Sequence, residues 1–139
     1  MQKYLDFFRA NDHFARHCGI ELLEVRPGYA RASMVLQPFH FNGAQTAHGG
    51  AIFTLADFAF AVAVNSQGKL ALAINTTMAF VNPAVAGTLV AVAEELASNR
   101  RLGTYQVCIR DDEDQLIAQF QGTAYRKNTS LLPPAEAAG

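Results

Sequence analysis

The chain is poor in cysteine, in net charge and in long uninterrupted apolar sequence, and each shortage closes off a class of protein. Only two cysteines, Cys18 and Cys108, occur in 139 residues. They make no disulfide framework, and neither sits at a metal-ligand spacing. Both are expected as reduced thiols in or near the core of a cytoplasmic protein. Eleven Lys and Arg against twelve Asp and Glu leave a formal net charge of -1. That balance gives no electrostatic footprint for a nucleic acid. The first stretch, "MQKYLDFFRANDHFARHCG", carries charges throughout and lacks the continuous apolar core of a secretion signal. The one long apolar run, residues 51–64, is too short to span a bilayer and is interrupted by Asp57. Neither nucleic acid nor membrane is therefore expected as a partner.

What is present suits one domain. Half of the residues are hydrophobic, and a chain of this length can bury a core without staples. Residues 2–17 place Tyr4, Leu5, Phe8, Phe14 and Ala15 at helical spacing, with a break near Asn11-Asp12 and a stop at Gly19. "IELLEVRPGYARASMVLQP" reads as a β-hairpin turning at Pro27-Gly28. "PFHFNGAQTA" is a loop, and the apolar helix follows to about Gln67, with Gly68 to end it. Beyond it come "LALAINTTMAFVNP" and "GTLVAVAEELAS", then "TYQVCIRD" and "QLIAQFQGTAYRK", joined by turns at Arg100-Arg101 and at "DDED". The last three of these runs read as consecutive antiparallel strands. The order is α+β. A helix apolar nearly all round needs burial on most sides, which a single antiparallel sheet curling around it provides.

The segment "AHGGAIFTLADFAFAVAVNSQG" carries the chemistry. Gly49 and Gly50 stand where the helix begins. The first turn has backbone N–H groups without intrahelical partners and the positive end of the dipole. Glycine lets a ligand approach that backbone, so a substrate oxygen gaining negative charge could be held there. The plainer role for the pair is a tight turn or close helix packing. Asp57 is a lone acid on a greasy helix, costly to bury without partners. Either it is hydrogen-bonded to backbone or to a neighbouring Ser, Thr or Asn, or it is functional. Burial among Phe53, Leu55, Phe58, Phe60 and Val64 would raise its pKa. Eight residues separate Gly49 from Asp57, roughly 12 Å along one helix. One small acyl centre cannot touch both. Either the two serve different ends of a ligand, or they come from two copies of the chain. A two-fold dimer with antiparallel helices would set Gly49 of one beside Asp57 of the other, giving two composite sites.

Other candidates carry less. His13 and His17 stand four apart, a spacing that can hold metal, but with no third ligand nearby they read as a solvated helix face. His40 could line a substrate entrance. Phe39, Phe41 and Phe60 could line an aryl pocket, although core packing suits Phe60 better. No Ser-His-Asp or Cys-His arrangement and no phosphate-binding glycine loop stands out.

"FNGAQTAHGGAIFTLADFAFAVAVNSQG", followed by "INTTMAFVNPAVAGTLVAVAEEL", closely resembles the hotdog-fold acyl-CoA thioesterases of the phenylacetate-degradation type. The likeness covers residues 5–126, and its "HGG…D" signature is fairly specific for this clan. It implies a hotdog fold, with an antiparallel sheet of five to six strands wrapped around a long central helix. The domain would occupy residues 1–126, leaving 127–139 as a frayed or disordered tail. It also implies homodimers pairing their sheets edge to edge, dimers pairing again into homotetramers, and active sites at the dimer interface. There the Gly49 N–H would polarise a thioester carbonyl. Asp57 of the partner subunit would be nucleophile or general base. His48 would orient the helix start, and Asn42 would hold the attacking water or the carboxylate. Gly50 and Phe41 would border the substrate. No metal or bound cofactor is implied, since coenzyme A belongs to the substrate.

One departure stands out. Some relatives place a serine on the strand after the helix, and that position is Ala73 here. By the two-residue period Asn75 and Thr77 share its face and are candidates to substitute. Arg100 and Arg101 are either a solvated turn or contacts for the coenzyme A phosphates, which call for accessible Arg or Lys. Arg126 and Lys127 are similar candidates. The expected reaction is acyl-CoA hydrolysis, with an aryl-acyl group such as (hydroxy)phenylacetyl as the specific expectation. The rivals are an acyl-CoA sensor without turnover and a hotdog hydratase or dehydratase.

Overall fold

An apolar helix has to be wrapped, and here a curled sheet wraps it. The computed structural model describes residues 1–134. In chain order it has helices α1 (Gln2–Asn11) and α2 (His13–His17), strands β1 (Ile20–Arg26) and β2 (Tyr29–Val35), and a short 3-10 turn (Pro38–His40). The central helix α3 (Gly49–Asn65) follows, then β3 (Lys69–Phe80), β4 (Thr88–Ser98), β5 (Leu102–Arg110) and β6 (Leu116–Ser130). The six strands form one sheet in the order β1-β2-β4-β5-β6-β3, antiparallel throughout. The architecture is α+β, as the residue pattern indicates. The helix break falls where expected, because the Asp12 carboxylate caps α2 by accepting the Ala15 N–H at 3.0 Å.

Residue size sets how the helix lies on the sheet. Ala30, Ala32, Ala91 and Ala93 on β2 and β4 are fully buried, and their small side chains let α3 approach. On β5 and β6 the fill is aromatic. The Phe60 ring lies 5.3 Å from Phe120 and 5.9 Å from Tyr105, centre to centre. Burying one such ring stabilises by ~1.5–3 kcal/mol. Gly122 makes room for it, since a Cβ there would lie 2.8 Å from Phe60 Cζ. Burial of α3 is not complete, however. Gly50, Thr54, Asp57 and Ala61 form a stripe at helical spacing that none of the described elements covers fully.

The "NSQG" segment ends the helix and ties it down. Asn65 Oδ1 accepts the Ala71 N–H at 2.8 Å, and its Nδ2 donates to Ala71 O at 3.2 Å and to Ala61 O at 2.8 Å. Ser66 Oγ accepts the Gly28 N–H at 2.8 Å, and Gln67 Nε2 donates to Glu95 Oε2 at 3.0 Å. The helix stops at Asn65, two residues before the expected end.

Among the described residues the long strand β3 pairs only with β6, which leaves its other edge bare. Its register slips between Ala73 and Asn75. Ile74 is the extra residue of a bulge, and the slip reverses the alternation of faces. Ala73 opposes the buried Ala124 on the helix side, whereas Asn75 opposes Thr123 and Thr77 opposes Gln121 on the outer side. The expectation that Asn75 and Thr77 share the Ala73 face is therefore corrected. At the chain's end β6 runs four residues past 126, and Leu132 is buried. The remainder of the expected tail, residues 135–139, lies outside the described residues.

Candidate active site

The loop before α3 is held by His40, a residue that on sequence alone could line a substrate entrance. His40 is buried. Its Nδ1 accepts the Gln37 N–H at 2.9 Å, so Nε2 is the protonated nitrogen and donates to Cys18 O at 2.6 Å. The His40 carbonyl in turn accepts the His48 N–H at 2.7 Å. His40 is thus a peg for the loop rather than part of a pocket wall. Phe41 bridges Ala47 across the loop and is half-buried, while Phe39 is exposed and leans on the His40 ring. Phe60 lies in the core.

His48 caps α3. Its Nδ1 accepts the Gly50 N–H at 2.8 Å, and its carbonyl accepts from Ala51 and Ile52. The Gly49 N–H has no acceptor among the described residues. Of the donors at the helix start, it is the one left for a ligand. A Cβ on Gly50 would sit 3.0 Å from His48 Nδ1, so the second glycine gives the capping ring its room.

The Gly49 backbone faces a cleft of about 300 Å³. Asn42 and Thr46 line one side and Phe80, Asn82 and Pro83 the other. Asn42 and Gly49 are thus brought together. The Asn42 amide is engaged in its own loop: Oδ1 accepts the Ala44 and Thr46 N–H groups at 2.9 and 3.2 Å, and Nδ2 donates to Thr46 Oγ1 at 3.0 Å. Asn42 therefore shapes the cleft rim.

Asp57 is not part of this cleft. It sits on the open stripe of α3, half-buried, with no hydrogen bond to any described residue. The plain alternative, an acid satisfied by backbone or by a neighbouring polar side chain, does not describe it. Burial holds its carboxyl above the usual aspartate range, and the charge of Asp12 adds to that. Asp12, 45 residues earlier, was readable from the sequence only as a helix break.

Several expected contacts lie elsewhere. Asn75 and Thr77 point away from α3 behind the Ile74 bulge. Arg100 and Arg101 sit on the β4–β5 turn at the C-terminal end of α3, the opposite end from Gly49 within one chain. Lys127 is exposed, but Arg126 is buried and so is no rim contact. Among the described residues no group of three or more His, Cys, Asp or Glu is arranged to hold a metal ion.

The arrangement is an open helix-start N–H beside a cleft, with an unpartnered carboxylate two turns along the same helix. The model of the thioesterase superfamily matches residues 44–118 of this chain. A relative from Archaeoglobus fulgidus is 39% identical over 134 residues, 96% of this chain and 87% of the relative. The acyl-coenzyme A thioesterase PaaI of Escherichia coli is 38% identical over 84% of this chain and 84% of that protein. In three dimensions, the E. coli PaaI protein from the phenylacetic acid degradation operon superposes with a TM-score of 0.88 at 34% identity. That match covers 93% of this chain and 96% of that one. A variant of the phenylacetic acid degradation protein PaaI from Thermus thermophilus gives 0.78 at 34% identity, covering 82% and 98%. The chain belongs to the thioesterase superfamily and is, within it, a thioester hydrolase of the PaaI-like hotdog type.

Proposed function

We propose that the protein hydrolyses acyl-CoA thioesters to free acid and coenzyme A at sites shared between two subunits. The carrying observation is the pairing of one open N–H, at Gly49, with one carboxylate that has no hydrogen bond to any described residue, Asp57, too far along the helix to serve the same carbonyl. In an antiparallel helix pair each group meets its counterpart from the other chain. The bare edge of β3, exposing Leu72 and Ile74, supports pairing through that strand. Further pairing into a homotetramer belongs to the same proposal, as does a cytoplasmic location.

The chemistry follows. The thioester carbonyl oxygen accepts from Gly49. The Asp57 carboxylate of the partner subunit takes a proton from water, and the resulting hydroxide adds to the carbonyl carbon. Negative charge collects on the oxygen facing the helix start, where donor and dipole stabilise it. The C–S bond then breaks, and the thiolate leaves and takes up the proton. Attack by Asp57 itself, through a mixed anhydride that water then opens, uses the same groups. Neither route calls for a metal or a bound cofactor. The aryl class, (hydroxy)phenylacetyl-CoA, is proposed as substrate by analogy with the phenylacetic acid degradation proteins that this chain resembles. Arg100 and Arg101 are proposed as contacts for the coenzyme A phosphates. In the antiparallel pair, the partner's β4–β5 turn would lie past Gly49, beyond the end of the partner's helix. Eight residues from Asp57 to Asn65 put that end ~12 Å past the carbonyl. An extended pantetheine arm bridges a span of that order.

The test is thiol release from a panel of aryl- and alkyl-CoA thioesters. Asp57→Asn and Asp57→Ala are expected to lose turnover, and an Asp57→Asn protein that keeps most of its activity overturns the assignment. Acyl-CoA binding without turnover by the native protein would point instead to a sensor. Mixing Asp57→Asn with a Gly49-loop variant is expected to restore some activity, and no recovery after confirmed subunit exchange counts against the shared site.

A further inference from the structure

Arg126 is the buried charged side chain for which the fold alone offers the least reason. It is 8% exposed. Its Nη1 donates to Asn99 O at 2.8 Å and to Leu102 O at 3.1 Å, one carbonyl on each side of the turn that displays Arg100 and Arg101. Its backbone N–H donates to Arg101 O at 2.6 Å. The turn is held from its sides as well. Asn99 Oδ1 accepts the N–H groups of Arg101 and Leu102, and Arg101 Nη1 donates to Asn128 Oδ1 at 3.0 Å. Gly103 leaves space for the guanidinium, because a Cβ there would lie 2.9 Å from Arg126 Nη2. That Nη2 is buried and makes no hydrogen bond to any described residue.

Beneath it lie Tyr105 and Glu95. Burial pushes the Tyr105 hydroxyl up to about 12, the Glu95 charge adds to this, and the Arg126 cation opposes it. The Tyr105 hydroxyl donates to Glu95 Oε2 at 3.3 Å, and the same oxygen takes the Gln67 amide. So the guanidinium is backed by a carboxylate that is itself tied to the residue just past the end of α3. A buried guanidinium with one unpaired nitrogen is a poor stabiliser on its own terms. What this arrangement does achieve is a fixed turn geometry for the exposed Arg100 and the half-buried Arg101.

We infer that Arg126 is a positioning residue for coenzyme A: it sets the β4–β5 turn so that Arg100 and Arg101 meet the phosphates of a substrate bound in the partner subunit's cleft. The inference rests on the proposed phosphate contact of Arg100 and Arg101. It assigns the sheet interior a part in recognising the nucleotide half of the substrate, distant from the acyl chemistry.

The experiment compares kcat/KM for phenylacetyl-CoA with that for phenylacetyl-pantetheine, which keeps the thioester but lacks the nucleotide phosphates. Arg126→Lys retains the apolar stem and the charge but cannot reach both carbonyls. It is expected to lower the ratio of the two values about tenfold, the loss of one charge-assisted contact. Gly103→Ala, which crowds the guanidinium while leaving Arg126 in place, is expected to lower the ratio in the same direction. Combining Arg126→Lys with Arg100→Ala and Arg101→Ala should give no further fall beyond the arginine pair alone. A fall in both kcat/KM values by the same factor would make Arg126 a stabilising residue only and overturn the inference. An unchanged ratio in Arg126→Lys, alongside a fall in the Arg100→Ala Arg101→Ala protein, overturns the positioning role and leaves the phosphate contact standing. An unchanged ratio in that double variant removes the phosphate contact itself, and the inference falls with it.

Discussion

The Nδ1 of His48 accepts the backbone N–H of Gly50 at 2.8 Å and leaves the N–H of Gly49 open. The cap thus divides two neighbouring donors between structure and ligand. His48→Ala is expected to destabilise the protein by about 1 kcal/mol, as for other lost helix caps. It should also lower kcat/KM by ~10–10²-fold, because the helix start shifts relative to the cleft. His48→Asn restores a capping acceptor and should recover most of the stability. Urea unfolding and steady-state kinetics on the two variants check this together.

Asp57 is maintained at a stability penalty. Its carboxyl titrates above the ordinary value of 3.8, so the folded protein holds a proton that the unfolded chain releases. Stability therefore falls as pH rises from near 3.8 through the raised folded value, and levels off above it. Asp57→Asn escapes that loss. The variant should melt higher than the native protein at pH 7, with the gap closing below the ordinary aspartate range, while turnover drops by ~10²–10⁴-fold. Thermal melts across pH, set beside activity, test both halves.

Asp12 contributes like charge to Asp57 and also caps α2. Asp12→Asn keeps an equally good cap and removes the charge. The acid limb of the pH profile of kcat/KM should then move to lower pH, since Asp57 ionises more readily. A limb that stays in place would show that Asp57 does not govern it.

Gly122 is where the core is tightest. Gly122→Ala puts a methyl 2.8 Å from the Phe60 ring and should destabilise by ~1–3 kcal/mol. The urea midpoint should fall with the slope unchanged.

The periodicities of the chain revealed the fold because local pattern and burial agree. The nearly all-round apolar character of 49–65 matches a helix wrapped by a sheet, and the turn-bounded runs that follow it match the strands β4 and β5, whose residues are buried in alternation. Asp57 could be noticed for the converse reason: it breaks a pattern. Asn75 and Thr77 were misplaced because one inserted residue, Ile74, changes which face is which, and a bulge leaves no mark in a two-residue period. Arg126 stands in the sequence as a solvated residue or a candidate phosphate contact because charge near a strand end is normally solvated; that Gly103 leaves room for it is a tertiary fact. An entrance stays open to His40 in the sequence because its partners, Gln37 and the distant Cys18, are not visible there. The part played by Asp12 depends on a contact between chain segments far apart in sequence.

The Asn65 side chain bonds both backbone groups of Ala71 and so ties the end of α3 to the start of β3. In a pair joined through β3, that tie acts as a gear train. Each residue of strand register would shift the partner's strand by ~3.3 Å, and with it the gap between one subunit's Gly49 and the other's Asp57. Side chains on the β3 edge, Ile74 among them, would in this way set the spacing of the proposed shared site.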